Sequence, residues 1–249
     1  IFLGTCFSLF LLGIIDDKYN ILPNKKLLLI IVILLPGIFF SEHLVIENIK
    51  LTFLQNQYSL DFFSKYWTLL CFLLFLNSFN MFDGINLQVV LYSLFICLVL
   101  IFFTGFKILF ASLIISLLFF MILNFKSKSF FGDGGTYLLS YIFSYLFIKL
   151  YNQTNIIYAD QIVLVMLLPG LELMRLFVIR LASKKNPFSA DRNHLHHLLL
   201  RKNNFLRVTL IIQSLIILPF IFSILIGFTI GFVFLVLILY SIIVFKYNQ

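Results

Sequence analysis

The sequence predicts an all-α, polytopic integral membrane protein built as one domain, and three observations carry that expectation. Of 249 residues, 62% are hydrophobic and 11% charged, against roughly 45–50% and ~25% in a soluble domain. The apolar residues fall into about nine runs, where a crossing takes about 20 residues at ~1.5 Å rise each. The few charged residues gather at the ends of those runs. This arithmetic excludes a soluble enzyme, a disordered chain and a coiled coil. The +8 net charge has no polar face on which a nucleic acid could bind, so none is expected as a partner.

The expected spans are 1–15 (partial), 27–46, 66–80, 87–104, 106–124, 135–150, 160–182, 206–226 and 228–246. The first run is short and opens on Ile1 rather than Met, so the chain reads as lacking its natural N-terminus and its first spans. Thr104-Gly105 and Gly227 divide neighbouring runs. Pro169-Gly170 predicts a kink in its span, because proline removes a helical hydrogen bond. Cys6, Cys71 and Cys97 stand singly in apolar runs without metal-ligand spacing and read as small core residues. The 33 Phe suit interchangeable lipid-facing positions.

Orientation follows from the basic residues, which are retained on the cytoplasmic side of short loops. The linkers 16–26, 81–86, 125–134 and 183–205 and the C-terminus share one side. By nearer helix end that side holds Lys18, Lys25, Lys26, Lys126, Lys128, Arg175, Arg180, Lys184, Lys185, Arg192, Arg201, Lys202, Arg207 and Lys246, fourteen of the 18 Lys and Arg. Lys50, Lys65, Lys107 and Lys149 lie opposite, which makes the first side cytoplasmic. Carboxylates near a bilayer are costly and functional by default. Asp16, Asp17, Asp83, Asp133 and Asp191 fall on the cytoplasmic side with His194, His196 and His197, whereas Glu42, Glu47, Asp61, Asp160 and His43 read as solvated groups on the other.

Four segments carry chemistry. Adjacent carboxylates at Asp16-Asp17 repel unless a cation neutralises them; the plain alternative is a solvated helix end. Asn80 and Asp83, three apart, share a helical face if the helix continues, and their oxygens suit a hard cation. Gly84 after them permits a tight turn, and a helix C-cap is the alternative. Gly132-Asp133-Gly134-Gly135 leaves backbone N–H groups at a helix N-terminus where phosphate can be cradled; otherwise it is a turn with an N-cap. Asp191-Arg192-Asn193-His194-Leu195-His196-His197, in the basic 183–205 loop, offers donors to a phosphate-rich ligand and lacks the set that zinc requires. Glu172 and Arg175, at i and i+3, can pair beside it.

Together these segments resemble the polyprenyl-phosphate N-acetylhexosamine-1-phosphate transferase family (glycosyltransferase family 4). The resemblance rests on Asp16-Asp17, Asn80-x-x-Asp83-Gly84, Gly132-Asp133-x-Gly135 and Asp191-Arg192-x-His194-x-His196-His197, in that order over nearly the whole chain. The HLHH form after PFSADR is similar to the branch that starts O-antigen, enterobacterial common antigen or teichoic acid chains. Departures are Asn86-Leu87 where the family usually has a second Asp-Gly, Glu172 where it usually has Asp, and no Gln after Lys25-Lys26.

The resemblance implies an inner-membrane enzyme with its site facing the cytoplasm, moving N-acetylhexosamine-1-phosphate, most simply GlcNAc-1-phosphate, from a UDP-sugar to undecaprenyl phosphate with release of UMP. The implied catalytic acids are Asp16, Asp17, Asp83 and Asp133. Asp133, Asp83 and Asn80 are the expected holders of Mg²⁺, with Mn²⁺ as a substitute. His194, His196, His197, Arg192, Asn86 and Gly84 are expected at the nucleotide-sugar, and Lys25, Lys26, Gly132 and Gly135 at phosphate. The partners are a polyprenyl phosphate acceptor, a UDP-sugar donor and, as a further expectation, a second copy in a homodimer. A transporter with a cytoplasmic-side polyanion site is the competing class; it calls for polar groups at the bilayer midplane and paired broken helices.

Overall fold

The computed structural model describes residues 1–104, 107–153, 156–187 and 193–248. Arg192, Asp191 and the PFSA segment before them, apart from Pro187, lie outside the described residues, as does the Gly105 boundary. In chain order the helices are α1 (Phe2–Tyr19), α2 (Pro23–Phe40), α3 (Ser64–Phe82), α4 (Gln88–Thr104), α5 (Lys107–Phe125), α6 (Gly132–Gln153), α7 (Ala159–Ala182), α8 (Leu195–Leu200), α9 (Phe205–Ile226) and α10 (Thr229–Asn248). All but α8 overlay the nine expected spans. Between α2 and α3 two 3₁₀ turns flank a two-residue antiparallel pair, β1 (Asn48–Ile49) and β2 (Tyr58–Ser59), in register Asn48 opposite Ser59.

The fold is all-α and polytopic. Among the described residues, six helical segments are at least 18 residues long and apolar enough to cross a membrane, with mean hydropathy from 1.3 to 2.6. The 17-residue α4 is apolar but shorter. α1 is the helix that ends in Asp16, Asp17 and Lys18. Large apolar side chains cover the outside: on α5, Ile108 is 89% exposed, with Ile115 and Phe119 also outward. Lipid tails solvate such a face, whereas the backbone groups behind it are satisfied within each helix.

Two apolar clusters form the interior. Leu9 and Leu12 of α1, Ile30 and Leu34 of α2, Phe72 and Leu76 of α3 and Tyr137 and Tyr141 of α6 make one. Phe79, Tyr92, Phe143, Leu168, Ile212 and Phe220 belong to the other, which joins α3, α4, α6, α7 and α9. α3 and α6 contribute to both and form the shared wall. Small residues let α1 and α6 meet backbone to backbone: a Cβ on Gly13 would lie 2.2 Å from the Gly134 nitrogen. This is the small-residue packing by which membrane helices gain van der Waals contact.

α7 runs unbroken from Ala159 to Ala182 through the buried Pro169. Proline costs a hydrogen bond there, but the helix continues through it on the bonds of its neighbours. α3 stops at Phe82, and the Asp83 N–H bonds back to the Asn80 carbonyl at 3.2 Å. Asn80 and Asp83 are therefore a last-turn residue and a C-cap, not two positions on one helical face. The loop expected at 183–205 contains the short helix α8, which the sequence reading did not anticipate.

Candidate active site

The C-terminal ends of α1 and α3 and the starts of α2 and α6 converge at one end of the bundle. Lys50, Thr52 and Asp160 mark the other, where the Thr52 N–H and hydroxyl both donate to the Asp160 carboxylate and the Ala159 N–H to the Lys50 carbonyl. At the first end Lys26 donates to Asp16 Oδ2 at 2.6 Å and to Asp133 Oδ2 at 3.0 Å, so one ammonium joins two of the expected acids. Asp16 is buried, and its Oδ1 accepts from the Ile21 N–H at 2.7 Å. Asn20, with φ of 51°, closes α1 and turns the chain back so that α2 can deliver Lys26.

Asp17 points the other way and caps α6. Its Oδ1 accepts from the Asp133 N–H at 3.0 Å, a favourable place for an anion because that N-terminus carries unpaired N–H groups and the positive end of the helix dipole. Gly132 has φ of +61°, and a Cβ there would stand 2.5 Å from Asp17 Oδ2. Both conditions require glycine. The phosphate cradle expected at Gly132–Gly135 is thus occupied in part by the protein's own carboxylate, and Gly135 donates to the Phe131 carbonyl.

Asn80 gives its amide to Asp133 Oδ1 at 2.7 Å and to Thr136 Oγ1 at 2.9 Å. A carboxylate can only accept, so the amide nitrogen must face it. Asn80 therefore orients Asp133. Burial, with the charges of Asp133 and Asp17 adding to it, pushes the Asp83 carboxyl up to about 7, because each neighbouring negative charge disfavours a further one. Lys25, expected beside Lys26, is exposed. Asn86 donates to the Ser127 hydroxyl at 2.8 Å and Leu87 N–H to Asn124 Oδ1 at 2.7 Å, tying the 83–87 turn to the end of α5 and the loop after it. Leu87 adopts φ of 65°, a left-handed conformation that costs a branched side chain about 1–2 kcal/mol.

The three histidines of the fourth segment pack together, with centroids 5.3 Å apart for His194 and His196 and 4.3 Å for His196 and His197. His196 is 3% exposed and its imidazole lies against Gly84. Burial, with the adjacent His197 and His194, pushes that imidazole down to about 3, so His196 is neutral at ordinary pH. His194 and His197 are half-buried. The arrangement brings Asp16, Asp17, Lys26, Asn80 and Asp133 into one bonded network, with Asp83 in its field and Gly84 carrying His196.

Two features escaped the sequence reading. Thr136 is fully buried and bonded to Asn80; its position after Gly135, one helical turn from Gly132, was the available signal. Tyr240 of α10 donates to Glu172 Oε2 at 2.6 Å, and nothing in the sequence links residues 68 positions apart. The expected Glu172–Arg175 pair is present at 2.6 Å.

The family model described as Glycosyl transferase family 4 matches residues 1–151, the part of the chain that carries Asp16, Asp17, Lys26, Asn80, Asp83 and Asp133. Over 232 residues the chain is 30% identical to a probable undecaprenyl-phosphate N-acetylglucosaminyl 1-phosphate transferase of Bacillus subtilis (strain 168), covering 88% of this chain and 62% of that protein. Over 207 residues it is 31% identical to an undecaprenyl-phosphate alpha-N-acetylglucosaminyl 1-phosphate transferase of Thermotoga maritima (strain ATCC 43589 / DSM 3109 / JCM 10099 / NBRC 100826 / MSB8), covering 83% and 63%. The chain thus spans somewhat under two thirds of the length of both relatives.

Proposed function

The chain belongs to glycosyl transferase family 4, and from that premise we propose that the protein transfers GlcNAc-1-phosphate from UDP-GlcNAc to undecaprenyl phosphate, releasing UMP, at the cytoplasmic face of the inner membrane. The observation that carries the reading is the Asp16–Lys26–Asp133 bridge with Asn80 and Asp17 bound to the same Asp133. Four helices each bring a polar side chain to one point at a helix end, with Asp16 buried and Lys26, Asn80 and Asp133 half-buried, which a purely structural bundle has no reason to do. The two relatives' names supply the donor and the acceptor. Against transport stand the names of both relatives and the continuity of α7.

Two polyanions must meet in this reaction, so neutralising charge is the protein's main task. Mg²⁺ takes one or two carboxylates together with substrate phosphate oxygens. Asp83 and Asp133 fit that role: burial first, and then the negative charges of Asp133 and Asp17, lift the Asp83 carboxyl to about 7, and a cation beside it would offset both. Among the described residues no group of three or more His, Cys, Asp or Glu side chains is assembled to hold a metal, so substrate oxygens would have to complete its coordination. When bound, the ion would draw charge from the diphosphate.

The chain's own residues do the rest. Lys26 holds Asp16 and Asp133 at fixed separation and can turn its charge toward an arriving phosphate. Asn80 keeps Asp133 aimed into the site. The His194–His197 cluster is assigned to the nucleotide-sugar, Arg192 lying outside the described residues; with Asp17 seated against Gly132 and the Gly135 N–H bonded to the Phe131 carbonyl, the phosphate contact is assigned to Lys26. A phosphate monoester has its second pKa near ~6, so at neutral pH the acceptor is mostly dianion and attacks the sugar-side phosphorus directly. Single displacement therefore needs no base and no aspartyl intermediate.

The test is incubation of the purified protein in detergent with undecaprenyl phosphate, Mg²⁺ and labelled UDP-GlcNAc or UDP-GalNAc. A lipid-linked product from UDP-GlcNAc that disappears in Asp133→Asn is the expected result. No product from any donor would overturn the enzyme reading, and UMP release without lipid phosphate would overturn single displacement.

A further inference from the structure

Glu172 is a carboxylate inside an apolar span, 4% exposed, and every direction in which it can accept is used. Oε1 accepts from Arg175 Nη2 at 2.6 Å and from the Leu195 N–H at 2.8 Å. Oε2 accepts from the Tyr240 hydroxyl at 2.6 Å and from Arg175 Nε at 3.3 Å. Arg175 in turn donates from Nη2 to the Asn193 carbonyl at 2.6 Å and from Nε to the Tyr240 oxygen at 2.8 Å. The carbonyl of residue 193 and the amide of residue 195 are the backbone groups on either side of His194. Both are tied to one ion pair on α7.

Such an arrangement does more than close a buried charge. Leu195 is the first residue of α8, whose opening N–H groups have no partner within the helix. A six-residue helix is too short to be stable on its own account. Its place is set by what holds its start, and here that is Glu172. The other side of the same helix meets Gly84, where His196 leaves no room for a Cβ. α8 is thus pinned at its first turn to α7 and α10 and seated by its second residue on the turn that follows Asp83.

We propose that Glu172, with Arg175 and Tyr240, is a positioning clamp that sets the histidine-bearing α8 over the Asp83–Gly84 turn and so governs the affinity for the nucleotide-sugar. The clamp rests on the proposed function for its effect on substrate, but its effect on α8 does not. The carboxylate reads the backbone and touches no reacting atom. α10 is coupled to the site through the Tyr240 hydroxyl, which gives a helix at the far end of the sequence a part in substrate binding.

The experiment has two arms on the full chain in detergent. Hydrogen exchange, read by mass spectrometry on peptides covering 193–204, needs no substrate. Glu172→Ala is expected to speed exchange there at least tenfold while peptides from α3, α6 and α9 keep wild-type protection; unchanged exchange at 193–204, or loss spread evenly over the bundle, would overturn the clamp. In the second arm Glu172→Gln and Tyr240→Phe raise KM for UDP-GlcNAc by about tenfold and about threefold, as expected for weakened charge-assisted hydrogen bonds, with kcat changed less than KM. Glu172→Asp recovers part of the KM lost in Glu172→Ala. A fall in kcat at constant KM would overturn the assignment. If the wild-type chain turns over no donor, the proposed function fails and the exchange arm alone decides the clamp.

Discussion

A Cβ placed on Gly84 would come within 2.0 Å of both Nε2 and Cε1 of His196. Glycine at this position is the space in which a buried imidazole from the far half of the chain is seated. Gly84→Ala therefore expels His196 and shifts α8 from the Asp83 turn. UMP release should fall at least tenfold, on the order of one lost binding contact, while the melting temperature in detergent moves by only a few degrees because Gly84 itself is exposed. Wild-type turnover in this variant would separate His196 from the reaction.

Lys26 bonds both Asp16 and Asp133 through one ammonium. Removing one partner from such a set leaves uncompensated charge, at a cost of roughly 3–5 kcal/mol where the group is buried. Lys26→Met should lower turnover by about a hundredfold or more and reduce thermal stability as well. A variant that melts as the wild type and still releases UMP would remove the bridge from both roles.

The Asp83 carboxyl titrates at about 7 in the folded chain against 3.8 as a free side chain. A group whose folded pKa is raised stabilises the fold fully below its unfolded value, and that contribution is lost as pH rises from about 4 through 7. Without divalent cation the melting temperature should therefore fall across that window, and Asp83→Asn should flatten the decline. Turnover, which calls for the ionised carboxyl, should rise with pH through about 7, and added Mg²⁺ should move the midpoint to lower pH. A midpoint independent of Mg²⁺ would argue that Asp83 is not near the cation.

Gly13 and Gly134 are in backbone contact, and a methyl at Gly13 has nowhere to go. Overpacking of this kind costs about 1–3 kcal/mol. Gly13→Ala should lower the melting temperature and, by parting α1 from α6, weaken the Asp17 bond to the Asp133 N–H. Turnover should fall further than stability alone accounts for, measured well below the melting temperature.

Much of this was legible because membrane solvation makes polar residues conspicuous. Asp16, Asp17, Asp83 and Asp133 stand out as carboxylates at span ends, and their common side follows from the alternation of the spans between them. Lys26 was visible as a cation beside them, although its choice of Asp16 and Asp133 depends on where Asn20 turns the chain. Local spacing misled at Asn80 and Asp83, since the helix stops at Phe82 and tertiary bonds to Asp133 and Thr136 decide Asn80's role. Leu87 carries a positive φ where the family usually has glycine, so the turn's shape is retained without its usual residue and a glycine pattern could not reveal it. Tyr240 has no local signal, since nothing in the apolar run around it marks a partner, and only the packing of α10 on α7 gives it Glu172.

The contact between Gly13 and Gly134 also bears on how the chain can vary over time. Because the spacing of Asp17 and Asp133 is fixed by two main chains touching, it is a datum that no side-chain exchange elsewhere can move. The lipid-facing shell, where Phe102, Phe119 and Phe245 stand exposed, carries no such constraint. The membrane reads only greasiness there, and the chemistry is surveyed from two glycines.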